Sequence, residues 1–173
     1  SGRANVSLSG GEKTVEIYFP WSKAVTITDF QLDDGSVIIP EPRPRTMLCF
    51  GDSITQGYDA KFPSFTYASQ LARMLGCKLP NKAIGSDTFF PELLYAAGDV
   101  KPDIITVSYG ANDWNTHTRE RLIVSGYAFF EKLVQKYPGA KIFAFTPIWR
   151  GDGDRETPFG APQSAVGEVI RSF

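Results

Sequence analysis

Two runs within the first forty-four residues alternate between apolar and polar positions with a period of two. Residues 14–19 and 24–30 are rich in β-branched and aromatic side chains and are bounded by glycine or proline. A third run, residues 36–39, follows an Asp-Asp-Gly turn signal, and the proline-rich residues 40–44 form a stiff linker. The pattern predicts a short β-rich segment, residues 1–44, with three antiparallel strands. Because three strands make a poor independent domain, we expect the tail of an accessory domain or a flap packed on the rest of the chain.

From residue 45 onward the pattern changes to strands alternating with helices. The strand-like runs are residues 46–50, 77–83, 103–109 and 141–146. The helical runs are residues 67–75 before Gly76, a long run capped by Thr118 and ended by Pro138-Gly139, and a last run from Pro162 with Val166, Val169, Ile170 and Phe173 on its apolar face. This alternation predicts right-handed β-α-β units and a parallel sheet, so we expect one α/β domain over residues 45–173.

The last helical run is still in phase at Phe173, with no cap and no closing turn. Because a helix between strands should lead to another strand, we expect the C-terminal strand and helix of the domain to be missing from the sequence. The fourth strand would then have an unpaired edge and the last helix an uncovered apolar stripe. Both features favour self-association.

Three short polar blocks each follow a strand-like run. They are Gly-Asp-Ser-Ile-Thr at 51–55, Asn-Lys-Ala-Ile-Gly at 81–85 and Gly-Ala-Asn-Asp at 110–113. Taken singly, Ser53 is explained as a helix cap and Gly85 as a turn glycine. Because functional groups gather at the carboxyl ends of parallel strands, the joint occurrence of the blocks favours a site.

The residue types in these blocks suit acyl transfer. A serine hydroxyl is a weak nucleophile that needs a base to remove its proton and donors for the oxyanion that forms on the attacked carbonyl. The candidate nucleophile is Ser53, and the candidate donors are the Ser53 N–H, the Gly85 N–H and the Asn112 side-chain amide. Glycine lets the backbone approach a substrate closely, and asparagine supplies a neutral donor.

The blocks resemble those of the SGNH subgroup of the GDSL esterases and lipases, over about residues 46–173. In that family Gly-Asp-Ser carries the nucleophile, and a glycine and the asparagine of Gly-x-Asn-Asp complete the oxyanion hole. The resemblance implies a flavodoxin-like three-layer α/β/α fold with a five-stranded parallel sheet, and ester hydrolysis through an acyl-serine intermediate. It also implies a C-terminal Asp-x-x-His that supplies the base and its orienting partner.

No Asp-x-x-His follows the third block, and the single histidine is His117. We favour truncation, which explains the missing strand and the missing base together. The alternatives are His117 as a substitute base, and an inactive homologue that acts as a carbohydrate or acyl binding module or as a scaffold. Residues 1–173 alone should show little or no turnover, because a serine without its base loses most of the rate.

The substrate class is the least constrained prediction. Trp114 and Trp149 fall at strand ends, where they would stack on a sugar, line an acyl pocket or only pack the loops down. A β-rich segment ahead of such a hydrolase domain resembles the layout of carbohydrate esterases that remove acetyl groups from polysaccharides. We therefore expect a small ester or an acetylated sugar as the substrate.

The composition of the chain limits the classes of partner and cofactor that we expect. A net charge of −1 and a pI near 5.8 give no electrostatic footprint for nucleic acid or an anionic membrane, and no run is long enough for a membrane helix. We expect a soluble protein; the lack of a secretory signal in the sequence leaves the compartment open and favours the cytoplasm slightly. Cys49 and Cys77 are expected to be buried thiols, with a bridge between them as the minority alternative. One histidine and no glycine-rich phosphate loop predict neither a metal nor an organic cofactor.

Overall fold

The computed structural model describes residues 2–173, and its regular structure begins at Arg45. The strands are β1 (Arg45–Gly51), β2 (Cys77–Lys78), β3 (Ile104–Ser108) and β4 (Lys141–Ala144). The helices are α1 (Ser53–Gln56), α2 (Tyr67–Met74), α3 (Ala111–Thr116), α4 (Arg119–Lys136) and α5 (Ser164–Ile170). Two 3₁₀ segments, Pro63–Phe65 and Pro91–Ala97, complete the regular elements.

The four strands form one parallel sheet in the order β2-β1-β3-β4. Side chains of β1 alternate between two apolar clusters, as the period of a strand requires. Met47 and Cys49 pack against α2, whereas Leu48 and Phe50 join the larger cluster under α4 and α5. Helices therefore cover both faces, and the predicted α/β fold with a parallel sheet is confirmed.

Most element ends follow their sequence signals. Thr118 caps α4 by accepting the Arg121 N–H at 3.3 Å, and Gly76 follows α2 with a φ of 62°. The second strand is shorter than the predicted 77–83. Pro80 has no N–H for a ladder, and beyond it only an isolated bridge pairs Asn81 with Cys49.

The predicted N-terminal strands at 14–19, 24–30 and 36–39 do not form, since residues 2–44 contain no strand in the structure. A strand needs a partner for its N–H and C=O groups, and the backbone hydrogen bond found within this segment is the turn contact from Ser36 N–H to the Asp33 carbonyl. The expected turn is present, but its flanking runs stay unpaired. The division of the chain at residue 44 stays a prediction.

The last helix is packed, so the prediction of an uncovered apolar stripe on it is wrong. Val166, Val169 and Ile170 are at most 4% exposed. They reach the core because Gly110 has no side chain: a Cβ there would lie 2.8 Å from Val166. By contrast, β4 is at the edge of the sheet with Phe143 half exposed. Self-association through that edge stays a prediction, which a dilution series in solution scattering would test.

The two cysteines are free and buried, so the bridge between them does not form. The Thr106 hydroxyl donates to Cys49 Sγ at 3.1 Å, and burial raises the pKa of the Cys49 thiol to about 11. Within residues 2–173, no helix has both the length and the apolar character needed to cross a membrane.

Candidate active site

The first block forms a tight strand-to-helix turn. Asp52 caps α1 by accepting the Ile54 N–H on Oδ1 at 3.0 Å, and Ser53 is the first residue of the helix. A Cβ at Gly51 would lie 2.2 Å from Thr55 Oγ1 and 3.0 Å from the Ser108 carbonyl oxygen, so only glycine fits between β1, α1 and β3. The half-buried Ser53 is thereby fixed at the carboxyl end of β1.

The second block runs alongside this turn. The Ile84 N–H donates to the Gly51 carbonyl at 3.1 Å, and a turn closes from the Asp87 N–H to the Ile84 carbonyl at 3.2 Å, with Ser86 at a φ of 68°. A Cβ on Gly85 would lie 3.7 Å from Ser53 Cβ. Gly85 does not itself have a positive φ. A Cβ at Gly85 would thus be in ordinary contact with Ser53, and its tight neighbour would be Gln56 Oε1 at 3.2 Å.

The third block begins α3 directly after β3. Asn112 Nδ2 donates to the Asp87 carbonyl at 2.9 Å, which ties α3 to the turn that carries Gly85. A carboxamide nitrogen has two hydrogens, so the second N–H of Asn112 is left for a ligand. Because β1 pairs with β3 through Gly51 and Ser108, the first and third blocks leave adjacent strands side by side.

The structure thus brings Ser53, Gly85 and Asn112 to one edge of the sheet. Asp113 reinforces this arrangement: its fully buried carboxylate accepts the Gly110 N–H at 3.1 Å and the Phe89 N–H at 3.2 Å. Burial raises the pKa of Asp113, and the Phe89 N–H and the nearby His117 partly offset that rise. The predicted roles of the three site residues are chemically compatible with this placement.

The contact found for the His117 ring is with Asp113. His117 follows α3, and its Nδ1 is 3.6 Å from Asp113 Oδ1. Among the described residues, no hydrogen bond joins His117 to Ser53. The substitute-base hypothesis therefore gains no supporting contact.

The two candidate pocket tryptophans, Trp114 and Trp149, differ sharply in exposure. Trp114 is fully buried, its Nε1 donates to the Ala161 carbonyl at 2.9 Å, and the Arg155 guanidinium lies 4.8 Å from the ring centre. The prediction that Trp114 lines a substrate pocket is wrong, because α3 begins at Ala111 and turns the ring into the core. Trp149 is 86% exposed beyond β4, and its substrate role stays a prediction.

Sequence reasoning missed Gln56. Its Oε1 accepts the Gly85 N–H at 2.8 Å, so this side chain contacts one of the predicted oxyanion donors. The available signal was its spacing: Gln56 lies three residues after Ser53 in a helix, and such pairs share a face.

Acidic groups near the site are perturbed by burial. Burial raises the pKa of Asp52 and of Asp87, and the charge on Asp87 raises the pKa of Asp52 further. Across residues 2–173, no three His, Cys, Asp or Glu side chains are grouped as they would be to hold a metal ion.

Comparisons with known proteins identify the family. The model of the GDSL-like lipase/acylhydrolase family matches residues 49–172. No curated protein sequence matches significantly.

Similar solved structures include a carbohydrate esterase family 2 enzyme with a carbohydrate binding domain from Corynascus thermopiles (Myceliophthora fergusii), at 20% identity and a TM-score of 0.66 over 80% of this chain and 56% of that one. A family two carbohydrate esterase from Cellvibrio japonicus is 19% identical, with a TM-score of 0.59 over 79% of this chain and 51% of that one. A two-domain esterase active on acetylated mannans is 18% identical, with a TM-score of 0.57 over 73% of this chain and 34% of that one. At these identities the structures show a shared fold. The chain spans about half the length of the two carbohydrate esterases.

Proposed function

Because the chain belongs to the GDSL-like lipase/acylhydrolase family, we propose that it is a serine esterase that cleaves short-chain acyl esters through an acyl-serine intermediate. The observation that carries the proposal is the convergence of Ser53, Gly85 and Asn112. Gly85 has no side chain between its backbone and Ser53, and the Asn112 amide is tied to the same turn.

In the proposed reaction, the Ser53 hydroxyl attacks the acyl carbon while a base takes its proton. The negative charge that develops on the acyl oxygen is held by the Ser53 N–H, the Gly85 N–H and the free N–H of Asn112. Collapse of this intermediate expels the alcohol and leaves the acyl group on Ser53. Water then attacks the acyl-serine and releases the acid.

The base is the component that the described contacts do not supply. No side chain of residues 2–173 hydrogen-bonds the Ser53 hydroxyl. Since the chain covers 56% and 51% of the two carbohydrate esterases, we propose that an Asp-x-x-His segment outside this sequence supplies the base in the full-length protein. The full-length protein is therefore the one to assay.

For the substrate, we propose O-acetyl groups on carbohydrates. Two of the similar structures are carbohydrate esterases, and a third is active on acetylated mannans. Trp149 supports the same choice, because an exposed indole offers a flat apolar surface on which a sugar ring stacks.

The test is the hydrolysis of p-nitrophenyl acetate, and of acetylated mannan by acetate release, with full-length protein. Ser53→Ala should lower kcat/KM by at least about 1,000-fold, because it removes the attacking hydroxyl. Ser64→Ala is the matched control, since Ser64 lies in the 3₁₀ segment Pro63–Phe65 and should leave turnover unchanged. Undiminished hydrolysis by Ser53→Ala would overturn the proposal, and activity on the nitrophenyl ester alone would overturn the carbohydrate substrate.

A further inference from the structure

The Gly85 N–H is not free in this structure. It donates to Gln56 Oε1 at 2.8 Å, well within hydrogen-bond range. A backbone N–H has a single hydrogen, so it cannot bind a substrate oxygen at full strength while the glutamine holds it. The role of Gln56 therefore rests on the proposed function, which assigns this N–H to the oxyanion.

The Gln56 oxygen lies where a substrate oxygen is expected. A Cβ on Gly85 would be 3.2 Å from Gln56 Oε1 and 3.7 Å from Ser53 Cβ, so the three residues meet at one point. The carboxamide oxygen is also the carbonyl of a small planar acyl group. Like the carbonyl oxygen of an ester, it is a planar sp² oxygen with two acceptor lone pairs.

The Gln56 side chain is held by a single hydrogen bond, the one from the Gly85 N–H. Within residues 2–173 its Nε2 has no hydrogen-bond partner, and the residue is half exposed. Asn81, in the same loop as Gly85, is different: its Nδ2 donates to the Thr55 carbonyl at 2.7 Å and its Oδ1 accepts the Ala83 N–H at 3.0 Å. A carboxamide bonded at both ends locks a loop, whereas one bonded at one end exchanges its partner readily.

We propose that the Gln56 carboxamide occupies the Gly85 N–H in the free protein as a stand-in for substrate, and that the acyl oxygen of an ester displaces it on binding. Gln56 then lowers affinity for every ester by a constant factor. The displaced side chain returns when the acid leaves. No covalent step is involved, since one hydrogen bond is exchanged for another.

The kinetic test uses full-length protein with Gln56→Met, which keeps the length of the side chain and removes its carbonyl. Because a net hydrogen bond is lost from the free enzyme, KM for p-nitrophenyl acetate should fall about 2- to 10-fold with kcat unchanged. Gln135→Met, an exposed substitution on α4, is the matched control and should change neither constant. A lower kcat in Gln56→Met would overturn the inference, because it would mean that Gln56 stabilises the transition state.

A second measurement does not depend on turnover. Hydrogen exchange at the Gly85 amide, followed by NMR, should accelerate at least about 10-fold in Gln56→Met relative to wild type, because the acceptor is gone. Equal exchange in the two proteins would overturn the Gln56 contact. The two proposals fail differently: turnover that survives Ser53→Ala overturns the esterase, whereas Ser53-dependent turnover with unchanged KM in Gln56→Met overturns the displacement alone.

Discussion

At the scale of single residues, the glycines of the three blocks serve different purposes. Gly51 is needed for space, because a Cβ there would meet Thr55 Oγ1 at 2.2 Å, whereas a Cβ at Gly85 would crowd the Gln56 Oε1 atom at 3.2 Å. Gly110 is needed for both space and conformation, since it has a φ of 110° and lies against Val166. Each keeps a strand end close to its neighbour, which is what lets three separate segments form one site.

Asn112→Ala tests the carboxamide. We expect kcat/KM for p-nitrophenyl acetate to fall about 100- to 1,000-fold in full-length protein, because one oxyanion donor is lost. The variant also loses the 2.9 Å hydrogen bond to the Asp87 carbonyl, so circular dichroism must accompany the kinetics.

Asn115→Ala is the control for that variant. It removes the same side chain from the same helix, and its contact is with Arg155. Activity should stay close to wild type. If Asn112→Ala and Asn115→Ala were equally active, Asn112 would have no part in the oxyanion hole.

The chemistry of the site could be predicted from the sequence more fully than its surroundings. Ser53, Gly85 and Asn112 follow strand ends, and the geometry of a parallel sheet requires strand ends to share an edge. Whether Trp114 faces solvent or core depends on the residue at which α3 begins. The third block is only four residues long, which is too short for its hydrophobic pattern to define the start of a helix. Gln56 was missed because its role depends on a backbone N–H from another segment.

At the scale of elements, α4 and the residues after α5 pack with almost no free space. A Cβ on Gly126 would lie 2.2 Å from Phe173 Cζ. The Phe173 ring also packs against Phe130 and Tyr127, at centroid distances of 5.5 and 5.0 Å. Alanine is favoured over glycine by about 1 kcal/mol in a helix interior, so propensity and packing oppose each other here.

A double-mutant cycle separates these effects. Gly126→Ala should destabilise the protein in the wild-type background, where the ring must move. In a Phe173→Ala background the same change should stabilise it by up to about 1 kcal/mol, since only propensity remains. Urea denaturation measures both values. The same sign in both backgrounds would show that Phe173 does not pack on Gly126 in solution.

Local signals specified the elements that need no distant partner. Thr118 capped α4 and Gly76 followed α2 as expected. Strands were harder to predict, because a strand forms only where a neighbouring strand pairs with its backbone. Pro80 ended β2 early, and the N-terminal runs at 14–19 and 24–30 have the alternation of strands without a neighbouring edge to pair with.

At the scale of the whole molecule, residues 2–44 contact the rest of the chain at a tyrosine after α1 and at an arginine of α2. The Trp21 and Tyr58 rings meet edge to face at 5.4 Å, and Arg73 donates to the Tyr18 hydroxyl at 3.5 Å. Apolar side chains of the segment, Val15 and Ile17 among them, stay 56% exposed. We therefore expect the folded core of residues 45–173 to owe little of its stability to this segment.

Removal of residues 1–44 should therefore shift the melting temperature of the remainder by no more than a few degrees, because apolar side chains of the segment such as Val15 and Ile17 are already half exposed. Calorimetry on residues 45–173 beside residues 1–173 measures the shift. Loss of the cooperative transition in the shorter chain would show that the segment is part of the same folding unit.

The most direct test of the central claim is to treat the full-length protein with a fluorophosphonate and to locate the adduct by peptide mass spectrometry. A nucleophile at the end of β1, flanked by Gly85 and Asn112, predicts a single phosphonylated residue, Ser53, and no adduct in Ser53→Ala. An adduct on a different serine, or none under conditions that label a known serine esterase, would contradict it.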